Sequence, residues 1–464
     1  MSQQAFGFDD VMSAQERRTA YSLASIYATR MLGLFMILPV FTVYARQLRG
    51  HTAFLAGLAL GIYGLTQALF QVPFGALSDR VGRKPILLTG LSLFVAGSVI
   101  AALSHSIYGV IIGRALQGAG AISSTVMALA ADLTRDQHRT KVMATIGVSI
   151  GAAFSGGLIL GPLVNAWAGV AGIFWLTAVL GVLAMGVVLW VVPDPRQSRL
   201  HRDTGVVAGL FRNVLRHREL LRLDFGIFTM QFVLTSNFVV LPVMLAHLGG
   251  VSVAHSWEIY LPVMIVAFIA MVPLIIIAEK RRRMKAVLIG AVATLALCNI
   301  AYVLGAHSLA AMVAILIVFF TAFNVLEATL PSLVAKVAPA AQKGTAMGVY
   351  STSQFLGIFL GGTVGGALYG RFGLGAVLIA CAMLLTLWFL VAARMQEPRY
   401  LSSYVLSLGG APRLRQAAVL QQALLQVTGV VEASVVEDEE VAYLKVDRAL
   451  IDEDALRRVV SGAA

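Results

Sequence analysis

Charge is scarce in this sequence. Of 464 residues only 12% are Asp, Glu, Lys or Arg, about half the share usual in a soluble domain. That excludes a single soluble globule and a disordered chain. Cysteine is scarcer still. Cys298 and Cys381 both sit in apolar runs, so neither a disulfide framework nor a thiolate metal site is expected. No Gly-x-x-x-x-Gly-Lys-Ser/Thr loop occurs, so ATP is not the expected energy source. No nucleophile–base–orienter set and no His-x-x-x-His pair occur either, so the chain is not read as an enzyme and no metal is expected. The start of the chain carries Asp9, Asp10, Glu16, Arg17 and Arg18 before any apolar run. It lacks the order of a cleaved signal peptide, and the first apolar segment is expected to stay as an anchor.

Apolar residues are what the chain has, at 58% with a mean hydropathy of +0.83. At about 20 residues per membrane crossing, twelve segments are legible, near 19–44, 55–77, 85–102, 106–131, 142–164, 172–192, 223–245, 257–278, 286–304, 309–335, 344–369 and 374–393. The N-terminus and the even-numbered loops hold 22 Lys and Arg, the odd-numbered loops 3. By the positive-inside rule both termini are then cytoplasmic. The net charge of +12 reads as a topology signal, and no nucleic-acid partner is needed to explain it.

The chain also repeats. Leu38-Pro39-Val40 returns as Leu241-Pro242-Val243, and Pro73, Asp79, Arg80 and Arg83 return as Pro273, Glu279, Lys280 and Arg283. Gly147-Val148 returns as Gly348-Val349. Matches in register near 200 residues divide the chain into residues 1–192, a linker 193–222, residues 223–398, and a tail 399–464. Two parallel six-helix halves with a site between them are a secondary-transporter plan. The linker carries Arg196, Arg199, Arg202, Arg212, Arg216, Arg218 and Arg222. With Phe211 and Leu215 it reads either as a short amphipathic helix on the inner leaflet or as a solvated cationic connection.

Between the second and third segments stands Gly75-Ala76-Leu77-Ser78-Asp79-Arg80-Val81-Gly82-Arg83-Lys84. A turn this tight needs Gly82 for backbone freedom, and Gly75 permits close helix approach. The stretch resembles the signature loop of the major facilitator superfamily. That resemblance implies an all-α membrane protein of twelve helices in two bundles. It also implies a cytoplasmic latch in which Gly75, Asp79, Arg80, Gly82 and Arg83 act with Asp132, and in which Asp79 faces the start of helix eleven near Gly344 and Thr345. The second-half copy has Ile275 and Arg282 where the glycines would be, and is expected to be degenerate. Arg30-Met31-Leu32-Gly33, Asn324-Val325-Leu326-Glu327-Ala328-Thr329 and the stretch from Gly344 to Ser351 resemble the bacterial YajR-like transporters within that superfamily.

Ionisable side chains deep in a membrane normally line a cavity or have a partner. Arg30 in helix one, Arg114 in helix four and Glu327 in helix ten qualify, Glu327 as the only carboxylate well inside an apolar segment. Burial disfavours the charged form of a carboxyl group, a property suited to loading and releasing protons, so Glu327 is the candidate carrier. A permanent ion pair or a neutral hydrogen-bonded acid is the rival reading. Arg114 lies in a run resembling the superfamily's fourth-helix motif linked to proton transfer, with a helix-packing hydrogen-bond donor as the rival reading. Arg30 is assigned to modulating the proton site or to binding an anionic substrate.

Gly157-x-x-x-Gly161-Pro162 resembles the fifth-helix motif of proton-coupled drug exporters, although Asn165 and Ala166 replace glycines of that motif. Its small residues are read as packing against the other half. Tyr27, Phe35, Gln67, Gln71, Gln117, Gln231, Asn237 and Gln354 are candidate cavity residues, with ordinary helix packing as the rival reading.

The tail changes composition. Ser402–Leu408 reads as a strand, Arg415–Val427 as a helix with Ala418, Leu420, Leu424 and Leu425 apolar, Gly429–Val436 and Val441–Val446 as strands joined by Glu437–Glu440, and Asp452–Val460 as a helix. The order resembles a ferredoxin-like α+β domain of the heavy-metal-associated type. Gly409-Gly410-Ala411-Pro412 stands where such domains carry Cys-x-x-Cys, so thiolate metal binding is not expected. No final strand is evident. Regulation, self-association and small-ligand or anion sensing stay open for it, with an inert folded appendage as the rival reading.

Together these features predict a secondary transporter of the bacterial inner membrane. It alternates access and exports small molecules in exchange for protons, with the proton gradient and no cofactor as its energy source. The alternatives are a proton-coupled symporter of an anionic metabolite and a transport-dead receptor that signals through the tail.

Overall fold

The computed structural model describes residues 12–194, 211–305, 308–339, 342–397, 401–408, 414–436, 441–447, 450–452, 455–456 and 458–459. Helix α1 (Ala14–Phe35) opens on a capping box: Ser13 accepts from the Glu16 N–H, and the Glu16 carboxylate accepts from the Ser13 N–H. The first apolar segment is two helices. Helix α1 breaks at Met36–Ile37, and α2 (Leu38–Tyr44) restarts with Pro39 in its first turn, where a missing N–H is harmless. The fourth segment is also broken, at Gly120–Ile122, into α5 (Ile107–Ala119) and α6 (Ser123–Asp132). Between them lie α3 (Ala53–Val81) and α4 (Arg83–Leu103). Segments five and six run together as α7 (Asp136–Gly186), with Gly169 at φ 66 and ψ −177 marking the reversal and a π-helical turn following at Val187–Val191.

After the linker come α9 (Arg218–Gly249), α10 (Trp257–Lys280), α11 (Met284–Gly305), α12 (Leu309–Val337), α13 (Lys343–Phe372) and α14 (Leu374–Ala393). Counting the broken helices once and α7 twice, six crossings precede the linker and six follow it. The expected amphipathic linker helix is one turn, α8 (Phe211–Val214). Arg212 and Arg216 are exposed beside it, and Arg196, Arg199 and Arg202 lie outside the described residues. Large apolar side chains such as Ile265, Ile269, Leu297, Leu304 and Trp190 point outward, as a lipid-facing belt requires.

The bundles meet along α3 and α13. A Cβ on Gly57 would overlap the Gly362 carbonyl and stand 2.8 Å from the Gly366 Cα. A Cβ on Gly61 or Gly64 would run into the carbonyl of Phe359 or Phe355. Only glycine allows two helix backbones this close. Thr42 adds a hydrogen bond to the Phe238 carbonyl at 3.2 Å, Arg46 one to the Tyr369 hydroxyl at 2.9 Å, and Gln71 one to the Gly348 carbonyl at 3.3 Å. The helix-five motif behaves differently from expectation. A Cβ on Gly157 would stand 2.7 Å from the Phe35 Cβ, and one on Gly161 would meet the Met36 carbonyl. Both glycines pack on helix one of their own bundle, because small residues at spacing four mark a close-approach face without naming its partner.

The tail is a three-stranded antiparallel sheet, β1 (Ser402–Ser407), β2 (Val430–Val436) and β3 (Val441–Val446), in the order β1-β3-β2. Helix α15 (Leu414–Leu425) buries Ala417, Leu420 and Leu424 against it. Ala418 and Leu425, expected on that face, are exposed, since the helix turns Ala417 inward in place of its neighbour. Asp452 accepts from the Ala455 N–H at 2.9 Å and so opens the final turn. The Gly409–Pro412 loop, the Glu437–Glu440 turn, Glu453 and Asp454 lie outside the described residues. The tail touches the membrane part through the Lys445 ammonium, which donates to the Lys336 carbonyl at 2.7 Å.

Candidate functional site

At the even-loop end, Gly82 ends α3 and starts α4 with φ 108 and ψ 152, a region essentially closed to other residues. The turn delivers Arg83 into the bundle, 3% exposed. Its guanidinium pairs with the Asp79 carboxylate, donates to the Ser78 hydroxyl at 2.7 Å and to Asp132 Oδ2 at 3.0 Å. Asp132 is the last residue of α6 and its side chain is fully buried, whereas Asp79 keeps 34% of its side chain exposed. Gly75 brings α3 against Ser124, where a Cβ would stand 2.9 Å from the hydroxyl. Arg80 points away, exposed. Asp79, Gly82, Arg83 and Asp132 thus form one cluster inside the first bundle. Among the described residues the ion-pair partner of Asp79 is Arg83.

Sequence reasoning passed over the neighbour of this cluster. Glu16 accepts from the Arg135 backbone N–H at 3.1 Å and from its Nε and Nη2, both at 2.9 Å. This pins the chain after Asp132 to the start of α1. Ser13-x-x-Glu16 is a capping-box pattern, so the local role was readable, but the long-range one was not. In the second half Glu279 takes Lys336 at 2.7 Å and the Ser332 hydroxyl at 3.0 Å in place of Arg283. Arg282 holds φ 52 at the position matching Gly82.

Deeper in, the first bundle holds a connected polar layer. Arg30 donates to the Gln67 side-chain oxygen, and to the carbonyls of Gln117 at 3.5 Å and Gly118 at 3.4 Å. Gln67 donates to Ser123 at 3.1 Å. Arg114 donates to the Gln117 side chain at 3.0 Å, and Gln117 donates to Ser98 at 2.8 Å. The Tyr63 ring lies between the two cations, 5.6 Å from the Arg30 Cζ and 5.1 Å from the Arg114 Cζ. Neither arginine has a carboxylate in ion-pair range among the described salt bridges, and Arg30 Nε and Nη1 have no hydrogen-bond partner. Tyr27 is buried, in electrostatic reach of both Arg30 and Glu327.

Glu327 belongs to the other bundle, where it accepts from Gln231 at 3.2 Å. Phe35 packs edge-on against Phe154 at 5.0 Å, and Phe154 against Phe320 and Phe323 of α12 at 6.0 and 5.3 Å. Asn237 is fully buried with both amide ends unpartnered, while Gln354 is half-buried. So Gln67, Gln117, Arg30 and Arg114 come together, Tyr27 lies in electrostatic reach of Arg30 and of Glu327 in the other bundle, and Asn237 and Gln354 stand outside this network. A second buried carboxylate went unread. Asp224 is 5% exposed with Oδ2 unpartnered, although its place beside the basic linker suggests a wetted helix end. Among the described residues no group of three His, Cys, Asp or Glu could hold a metal ion.

Over residues 23–362 and 285–410 the sequence matches the Major Facilitator Superfamily. It is 45% identical over 455 residues to the inner membrane transport protein YajR of Escherichia coli strain K12, covering 98% of this chain and 100% of that protein. It is 26% identical over 344 residues to the multidrug resistance protein MdtH of a Yersinia enterocolitica strain, covering 73% of this chain and 84% of that protein. A bacterial homologue of the human lysosomal transporter Spinster, in an inward-facing and occupied conformation, superposes with a TM-score of 0.66 at 14% identity, covering 83% of this chain and 98% of that one. At that identity the likeness concerns the fold.

Proposed function

The chain belongs to the major facilitator superfamily, and we propose that it is a proton-coupled exporter of small molecules in a bacterial inner membrane, with both termini in the cytoplasm. The observation that carries this reading is a membrane carboxylate in one bundle, Glu327 held by Gln231, together with an Arg30–Gln67–Gln117–Arg114 layer in the other. A carboxylate there exchanges protons most readily when its charge is opposed by burial and favoured by a nearby cation. Substrate entry changes that balance, and the proton then leaves on the opposite side. The likeness to multidrug resistance proteins supports export. The cluster of Asp79, Arg83 and Asp132 acts as the catch that holds the even-loop side of the first bundle in register during the rocking of the two halves. The 6+6 division at the linker makes those halves the moving bodies.

The test uses everted membrane vesicles energised to an acid interior, with ethidium and a panel of amphiphilic cations and anions as probes. Proton release on probe addition is expected in the wild type and lost in Glu327→Gln. Proton release that persists in Glu327→Gln would move the carrier role elsewhere. One observation favours a second reading, symport of an anionic metabolite. Among the described residues Arg30 has two unpartnered nitrogens and no ion-paired carboxylate, so an anion-driven proton uptake, in place of release, would select it.

A further inference from the structure

Resting on the proposed catch, we infer that Glu16 is a positioning residue of it: by gripping Arg135 it fixes the turn that carries Asp132 and so holds the Asp132 carboxylate on Arg83. The sign of a second role is the number of its partners. A capping box asks its acidic residue to accept from one N–H, that of the N-cap. The Glu16 carboxylate accepts from the Ser13 N–H at 2.8 Å, and from Arg135 it takes the backbone N–H at 3.1 Å and Nε and Nη2, both at 2.9 Å. It is 3% exposed, whereas the Arg135 side chain keeps 48% of its surface in solvent. A buried carboxylate so fully bonded is fixed, and what it holds is fixed with it.

What it holds is the link between α6 and α7. Asp132 ends α6 and Arg135 is the N-cap of α7, with only Leu133 and Thr134 between them. The Leu133 N–H donates to the Leu129 carbonyl at 3.1 Å and the Thr134 N–H to the Ala131 carbonyl at 3.4 Å, which closes α6. The His138 and Arg139 N–H groups donate to the Arg135 carbonyl at 2.9 and 3.1 Å, which opens α7. With the Arg135 N–H on Glu16, each residue of the turn is tied. Glu16, Asp132, Thr134 and Arg135 line one notch of about 360 Å³, and Asp132 in turn accepts from the Arg83 Nε at 3.0 Å. Helix α1 runs unbroken from this tie to Arg30, a span of about 21 Å, so the helix that carries part of the polar layer also braces the catch.

Two variants separate the grip from the cap. Glutamine serves a capping box as glutamate does, so in Glu16→Gln the amide oxygen keeps the Ser13 N–H. The amide nitrogen then faces the Arg135 donors, and the grip is lost while the helix start is kept. Ser13→Ala does the reverse. It removes the hydroxyl that accepts from the Glu16 N–H at 3.1 Å and leaves the Arg135 grip in place.

Pulsed electron spin resonance on the full chain in lipid nanodiscs tests this without a substrate. Spin labels on Ala144→Cys, near the start of α7, and Lys280→Cys, at the end of α10, read the separation of the bundles on the even-loop side; both positions are exposed. Glu16→Gln is expected to change the ratio of wide to narrow separations by about threefold or more, the scale of coupling through a packed network, in the same direction as Asp132→Asn. The double variant is expected to match Asp132→Asn alone, because residues that act through one another are not additive. Ser13→Ala is expected to stay near wild type. Should Asp132→Asn not fold, Asp79→Asn takes its place in every comparison. An unchanged ratio in Glu16→Gln beside a changed one in Asp132→Asn would overturn the positioning role and leave the catch standing. Additive shifts would show that Glu16 acts apart from Asp132, and a shift shared by Ser13→Ala would make Glu16 a helix cap; either result overturns the inference. An unchanged ratio in Asp132→Asn would overturn the catch and the inference with it.

Discussion

Two residues in matching turns show how the halves diverge. Gly82 sits at φ 108 and ψ 152, where a side chain costs on the order of 1–3 kcal/mol. Arg282, its counterpart, tolerates φ 52, the left-handed region, at about 1–2 kcal/mol. Gly82→Ala is therefore expected to lower stability by about 1–3 kcal/mol, read as a drop in the thermal unfolding midpoint in detergent. Arg282→Gly should move it little, because relieved strain is offset by a freer unfolded chain. Equal effects of the two would show that the Gly82 conformation is not what sets the stability of its turn. At the same corner, Asp79→Asn removes the exposed partner of Arg83 and leaves Asp132 in place. Expression should stay near wild type while probe-driven proton release in everted vesicles falls sharply. Unimpaired release would remove the catch from the mechanism.

At the scale of helices, the contact between α3 and α13 is made of backbone. Gly61→Leu places a side chain where the Phe359 carbonyl lies, so the two helices must part. That should open the odd-loop side. A cysteine at Arg46, whose guanidinium reaches the Tyr369 hydroxyl there, is expected to react several times faster with an impermeant maleimide in the Gly61→Leu background. Both natural cysteines are buried, so the background is low. Equal labelling rates would mean that this seam does not seal that face.

The same helices show what a sequence reveals and where it stops. Twelve apolar stretches and the family are legible because crossing a membrane demands about 20 apolar residues each time. The breaks at Met36–Ile37 and Gly120–Ile122 are hidden, since hydropathy averages across them. Gly157 and Gly161 announce close packing, but their partner, Met36 with Phe35, is decided in three dimensions. Asp224 looks wetted in sequence because it follows Arg218 and Arg222, and only the packing of α9 against its neighbours buries it.

For the molecule as a whole, a buried ammonium helps join the tail to the second bundle. The Lys445 ammonium, 3% exposed, donates to the Lys336 carbonyl in the last turn of α12, where carbonyls lack partners within the helix and favour a cation. Lys336 in turn holds Glu279 at the corner between α10 and α11, so the tail rests on the second-half counterpart of the Asp79 corner. Burial holds the Lys445 amine below the usual lysine range, with the Lys343 charge pushing the same way and Glu432, at 3.9 Å, opposing both. The sign follows from linkage. Between the depressed value in the docked tail and about 10.4 in water, the released tail binds more protons, so docking strengthens as pH rises through that window. Below the window the cost of the buried charge is constant. A fluorophore pair on Gln422→Cys and Lys280→Cys, both exposed positions, reads the docking distance. Energy transfer is expected to rise toward alkaline pH in this background and to lose that slope in Lys445→Met, which keeps the packing stem without the charge. A slope that survives Lys445→Met would place the pH response elsewhere and leave Lys445 a passive strut between the tail and α12.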